Sequence, residues 1–317
     1  MELFEYQQLL YATDGFSPAR LIGKGSHGWV YKAILEDDTV VAVKKPLESN
    51  SKKLENEARV LCGLGHNPLV VNFLGTSVEK KRRLQLLVME FMPNGSLHDL
   101  VAAPNSVTWP KRLQIITQIA RAVQFLHEDL VIHRDIKPQN ILFDSHWNPK
   151  LADFGLAVTG SGSGQPAGTI GYLDPCYCTP GRVSTKSDVF SFGVVLLEVM
   201  SGRKAMDVSR SPASIVEWAR PLIEEQNYGR IYDRRVAVPK YLEGATRKVL
   251  DMAGRCVCGE QGRRPSMGEI VEAMEMSSAL CCIERVKLFP AWSSLVVVKL
   301  MRRRRRKQGK KRPFNVN

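Results

Sequence analysis

No stretch of this 317-residue chain approaches the roughly 20 apolar residues in a row that a bilayer-crossing helix needs, so no membrane span is expected. The opening Met1-Glu2-Leu3-Phe4-Glu5 is acidic and has no apolar core of the kind a secretory signal carries. Glu2 stands where N-myristoylation requires glycine, which excludes that modification for the chain as written. These absences predict a protein made and kept in the cytosol. Cysteine spacing of the zinc-binding kind is also missing. Cys176-x-Cys178 and Cys256-x-Cys258 each enclose one residue, where zinc pairs enclose about two to four, so free thiols in a reducing compartment are expected. Adjacent Cys281 and Cys282 offer a palmitoylation site, but small residues closing a helix are the preferred reading.

Acidic residues are absent from 285–317, a segment that holds 12 basic ones. Taking those 12 from the chain's net charge of +13 leaves +1 for residues 1–284. The body is therefore nearly neutral and gives no reason to expect that it binds nucleic acid. The high charge belongs to the end of the chain, where Arg302 to Lys307 is an unbroken basic run after the apolar Ala291–Met301. Such a run reads as a solvated tail, as an attachment to anionic lipid on a cytoplasmic leaflet, or as a nuclear localisation signal.

What the chain does contain is concentrated in a few strings. Ile132-His133-Arg134-Asp135-Ile136-Lys137-Pro138-Gln139-Asn140 is followed, 13 residues after Asn140, by Asp153-Phe154-Gly155. The two loops supply a candidate base, a cation and two oxygen ligands for a divalent metal, the set that phosphoryl transfer needs for positioning and charge neutralisation. Upstream, Gly23, Gly25 and Gly28 lie between Ile22 and Val30 in a strand–turn–strand pattern that lets backbone amides approach phosphate oxygens. A dinucleotide fingerprint would open a helix at this point, whereas Trp29 to Ala33 continues as a strand. The strand Val40–Lys44 ends on a lysine. Residues 52–61 have helical spacing, with Leu54, Ala58 and Leu61 on one face. Glu57 borders that face and is the expected partner of Lys44, while Glu55 points elsewhere. Helices are also expected over Trp109–Glu128, with Leu113, Ile116, Ala120 and Val123 inward, and over the almost wholly apolar Val189–Met200.

With these strings the chain resembles the eukaryotic protein kinases, and more narrowly the plant receptor-like kinases and their span-free cytoplasmic relatives. The narrower likeness rests on Ala12-Thr13-Asp14-Gly15-Phe16-Ser17, Leu87–Leu97, Gly168–Pro175, Lys186–Glu198 and Arg264-Pro265-Ser266-Met267. It covers about residues 1 to 280. The resemblance implies an α+β bilobal fold, with a β-rich N-lobe over about residues 1–92, a helical C-lobe over about 93–280, and a basic, disordered or peripheral tail over 281–317. It implies an ATP- and Mg2+-dependent serine/threonine protein kinase linked to a membrane receptor kinase, with protein substrates and no nucleic acid. Asp135 is then the base that orients the substrate hydroxyl, and Lys137 neutralises the transferred phosphoryl. Asn140 and Asp153 hold magnesium. Ile22, Gly23, Gly25, Gly28, Val30, Lys44, Glu57, Glu90 and Met92 bind or position the nucleotide, the last two from the hinge. Met89 falls at the back of the adenine pocket.

Two departures from the family pattern stand out. Cys176 follows Asp174-Pro175 where most kinases place a glutamate that pairs with an arginine, here Arg264. Unless Arg264 finds another acceptor, the activation segment loses rigidity. Residues 158–167 are glycine-rich and carry no charge, and Thr159, Ser161 and Ser163 are the candidate sites at which a phosphate would meet Arg134. Thr169 reads as structural, part of the substrate-docking turn. The rival expectation is a nucleotide-binding pseudokinase scaffold.

Overall fold

The computed structural model describes residues 2–287 except 26–27, 48–50, 80–83, 105–106, 161–165 and 179–182. The basic run, Cys281, Cys282 and the candidate sites Ser161 and Ser163 lie outside the residues or side chains described.

The N-terminal lobe contains β1 (Glu2–Leu3), α1 (Tyr6–Ala12), β2 (Leu21–Gly25), β3 (Gly28–Ile34), β4 (Val40–Lys45), α2 (Ser51–Leu64), β5 (Phe73–Glu79) and β6 (Leu84–Glu90). Its six strands are ordered β1-β5-β6-β4-β3-β2, all antiparallel except the short parallel pairing of β1 with β5. Val41, Val43, Leu86 and Val88 are buried with Phe4, Leu9 and Phe16, so the N-terminal arm roofs one face of the sheet. The β-branched run of β4 suits a strand covered on both sides.

The C-terminal lobe begins with α3 (Leu97–Ala102) and α4 (Trp109–Glu128). Ser96 and Asp99 form a reciprocal cap at the start of α3. Four short strands follow: β7 (Val131–Ile132), β8 (Ile141–Phe143), β9 (Pro149–Leu151) and β10 (Val158–Thr159), paired as β8 with β9 and β7 with β10. The lobe is completed by α5 (Thr185–Ser201), α6 (Ile215–Glu224), α7 (Glu243–Cys256) and α8 (Met267–Lys287).

Helix α4 spans the range expected from its periodicity, and Leu113, Ile116, Ala120 and Val123 are all buried. Helix α5 is buried from Ser187 to Ser201 and forms the axis on which α4, α6 and α7 pack. It begins four residues before the apolar run. Two charged residues of its first turn, Lys186 and Asp188, reach partners outside the helix, while the buried Ser187 hydroxyl has none among the described residues. The Asp188 carboxylate accepts from the backbone N–H groups of His133 and Arg134, and Lys186 donates to the carbonyl of Arg264. The helix stops at Gly202, whose left-handed φ of 68° leaves room for Asp233 and Arg235 where a side chain would collide.

Candidate active site

The two lobes enclose a cleft of about 660 Å³. Ile22, Gly23, Gly25, Gly28, Val30, Lys44, Glu57, Glu90, Met92, Lys137, Asn140 and Asp153 all line it, and Met89 is at its wall. Gly28, at the start of β3, can lie against the end of β4 because it has no side chain. A Cβ there would fall 2.3 Å from the Lys45 carbonyl oxygen.

Lys44 lies in β4, paired with Val30 of β3. Its ammonium donates to Glu57 Oε2 at 2.6 Å and to Asp153 Oδ1 at 2.9 Å. Glu57 is on the inward face of α2 and almost wholly buried, whereas Glu55 is exposed. Burial alone would push the Lys44 ammonium down, but the two carboxylates more than reverse this and hold its pKa above the usual lysine value. Lys44 is therefore a fixed cation at the floor of the cleft.

The second group is built on the loop between β7 and β8. Arg134 has a positive φ of 71°, and the Asp188 carboxylate holds the amides of His133 and Arg134 that lead into this turn. Asp135 is buried next to the cleft, behind the lining residues Lys137, Asn140 and Thr169 and not itself part of that lining, and its side chain is held by these three neighbours. Lys137 donates to Oδ2 at 2.7 Å, Thr169 donates to Oδ1 at 2.6 Å, and Asn140 Nδ2 donates to Oδ2 at 3.1 Å and to the Asp135 carbonyl at 2.8 Å. Lys137 also donates to Thr169 Oγ1 at 2.7 Å, which closes a ring of lysine, threonine and carboxylate. Among the described residues no group of three or more His, Cys, Asp or Glu forms a metal cage. The donor set is the amide oxygen of Asn140 with the carboxylate of Asp153. That set suits Mg2+, which keeps waters and phosphate oxygens around one or two protein ligands.

Reading the sequence assigned Glu90 to the hinge through its backbone, and the side chain is engaged elsewhere. Its carboxylate accepts from Lys150 at 2.6 and 2.8 Å and from the Asn72 amide at 2.7 Å, tying the end of β6 to β9 in the other lobe. Arg264 does find another acceptor. Its guanidinium is bidentate to Asp174, at 2.6 and 2.8 Å, and also donates to the carbonyls of Cys258 and Lys186. The Cys176 thiol donates to the Gly259 carbonyl and lies 3.7 Å from the guanidinium. The activation segment is thus anchored two residues earlier than the family pattern suggests.

Thr169, Lys150 and Asp174 were not singled out as site residues from sequence. Thr169 carried the clearest signal, lying in the Gly168–Pro175 string, but its bond to Asp135 spans 34 residues and leaves no periodic trace. Thr159 lies exposed in β10, paired with Val131 of β7.

A two-lobed fold with this cleft is that of a protein kinase, and the chain belongs to that family: the protein kinase domain model matches residues 16–274. Among its curated relatives is a serine/threonine-protein kinase-like protein of Arabidopsis thaliana, 49% identical over 335 residues and covering 96% of each chain. A second protein so described from the same plant is 42% identical across 93% of this chain and 65% of its own length. A proline-rich receptor-like protein kinase of Arabidopsis thaliana is 36% identical, matching 86% of this chain but 42% of its own. Among the described residues, no helix is long and apolar enough to cross a membrane.

Proposed function

We propose that the chain is an ATP- and Mg2+-dependent protein kinase that phosphorylates serine and threonine in proteins. The observation that carries the reading is the ring around Asp135. Its carboxylate is held by Lys137, Thr169 and Asn140, which line the same cleft as the Lys44–Glu57–Asp153 group.

The geometry divides the work as follows. The backbone from Glu90 to Met92 takes the adenine edge, with Met89 behind it and Ile22 and Val30 above. Lys44, held between Glu57 and Asp153, pairs with phosphate oxygens. Asp135 accepts the hydrogen bond of the substrate hydroxyl and takes its proton. Lys137, already bonded to Asp135, stands where charge builds on the transferred phosphoryl. Asn140 and Asp153 would hold Mg2+, which would neutralise charge on the phosphates. Lys137 two residues after Asp135 and the likeness to serine/threonine-protein kinase-like proteins favour serine and threonine over tyrosine. The pseudokinase reading has no observation in its favour.

Residues 1–280 form the kinase body in this reading and 281–317 a peripheral basic segment. The basic run within 302–312 supports a cytoplasmic address beside an anionic membrane, where a receptor kinase would be the partner, with the nucleus as the alternative address. The test is incubation of purified protein with Mg-ATP and a mixed serine, threonine and tyrosine peptide library, followed by phosphosite mapping. Phosphoserine and phosphothreonine are expected; phosphotyrosine alone, or no transfer, would reject the reading.

A further inference from the structure

Residue 56 precedes the Lys44 partner on α2, and its side chain makes an unusual set of bonds. The Asn56 Nδ2 group donates to the carbonyl of Ala157 at 2.8 Å and to those of Phe154 and Gly155 at 3.3 Å each. Its Oδ1 accepts from Arg59. Carbonyls only accept and a guanidinium only donates, so this network fixes the orientation of the amide. One side chain of α2 therefore fastens three of the four residues that follow Asp153.

These bonds close a loop with the cleft. Asp153 and Glu57 both hold Lys44. Asn56 is bonded covalently to Glu57, and its acceptors begin one residue after Asp153. Helix α2 can move outward only if it gives up the Glu57–Lys44 pair and the Asn56 bonds together. Two elements that also share the Lys44 cation are thereby made to move as one.

We propose that Asn56 is a positioning residue that couples α2 to the Asp153–Ala157 segment, so that the phosphate-facing lysine and the metal-facing aspartate are set in place together. The proposal deepens the kinase reading and rests on it for its effect on rate. Asn56 itself touches neither nucleotide nor substrate. Its loss frees the pair rather than removing a reacting group.

The experiment compares the full chain with Asn56→Ala and Asn56→Asp, measuring thermal unfolding, steady-state kinetics and hydrogen exchange over 151–158 and α2. Asn56→Asp keeps the shape and the contact with Arg59 but cannot donate to three carbonyls. Both variants are expected to lower kcat by about fivefold to tenfold, the equivalent of one lost net hydrogen bond of roughly 1 kcal/mol. KM for the peptide should stay within about twofold and unfolding should be nearly unchanged. Exchange should accelerate in both segments together. A loss in Asn56→Ala that Asn56→Asp does not share would assign the effect to packing or to Arg59 and overturn the proposal. Unchanged exchange in both variants would overturn it as well. The exchange arm needs no catalysis, so an inactive parent protein would reject the kinase reading while coupling was still being measured.

Discussion

Replacing Asp174 by asparagine removes the charge that faces Arg264 and leaves the shape intact. The pair is fully enclosed, with neither side chain exposed. Burial alone would raise the Asp174 pKa. Hydrogen bonds from Arg264, Gln261 and the Cys176 amide, with the arginine charge, hold it below the ordinary carboxylate range instead. After substitution the guanidinium retains the carbonyls of Cys258 and Lys186 and one amide oxygen, but no anion. Stranding a buried cation in this way costs about 3–5 kcal/mol, with the lower end expected because those carbonyls remain. The C-terminal lobe should then unfold at least roughly 6 °C lower, taking about 2 °C per kcal/mol for a unit of this size. The assay is calorimetric or fluorescence-detected melting with urea titration as a check. The same group sets an acid limit. A carboxylate with a depressed folded pKa gives stability that is present above its unfolded pKa of about 4 and lost as pH falls through the folded value. If Asp174→Asn melts within about 1 °C of the parent at neutral pH, Asp174 is not what compensates Arg264, and the account of Cys176 fails.

Three further outcomes are expected. Thr169→Val removes the hydroxyl shared by Asp135 and Lys137 and should lower kcat about tenfold or more, with Thr169→Ser restoring most of it; equal rates for the valine variant and the parent would mean that the ring is incidental. Burial raises the Glu198 carboxyl to about 7, against the opposing bonds from Tyr172 and the Ala205 amide. A raised folded pKa gives stability that is complete below an unfolded value of about 4.5 and lost as pH rises through about 7, so Glu198→Gln should flatten the stability profile in that window, and an unaltered slope would contradict it. Truncation after Glu284 should abolish salt-sensitive sedimentation with anionic vesicles, each Lys or Arg contributing on the order of 1 kcal/mol; binding that survives truncation would reject the membrane role of the basic run.

Much of the framework was legible because its signals are local. The i, i+3, i+4 spacing of 113–123 gave α4 its range, and the glycine turn followed by a β-branched strand gave the roof of the cleft. Glu57 was found by the same geometry, since only one of two nearby glutamates borders the apolar face of α2. The start of α5 was missed because Lys186 and Asp188 look like surface residues. Both are covered by bonds to distant backbone groups, 78 and 55 residues away. The same cause hid Lys150, which meets Glu90 across 60 residues, and Asp174, which meets Arg264 across 90. Asn56 looks like an ordinary polar residue beside the glutamate that pairs with Lys44. Its importance appears only when the Asp153–Ala157 segment folds against α2.

The most direct measurement is the rate of phosphate transfer to a serine/threonine peptide by the parent protein, Asp135→Asn and Lys44→Met, prepared side by side. Asparagine at 135 keeps the side-chain shape but removes the proton acceptor, and a loss of about 10²–10⁴-fold is expected, with Lys44→Met also severely impaired. Equal rates in all three proteins would show that the cleft around Asp135 is not where the chemistry occurs.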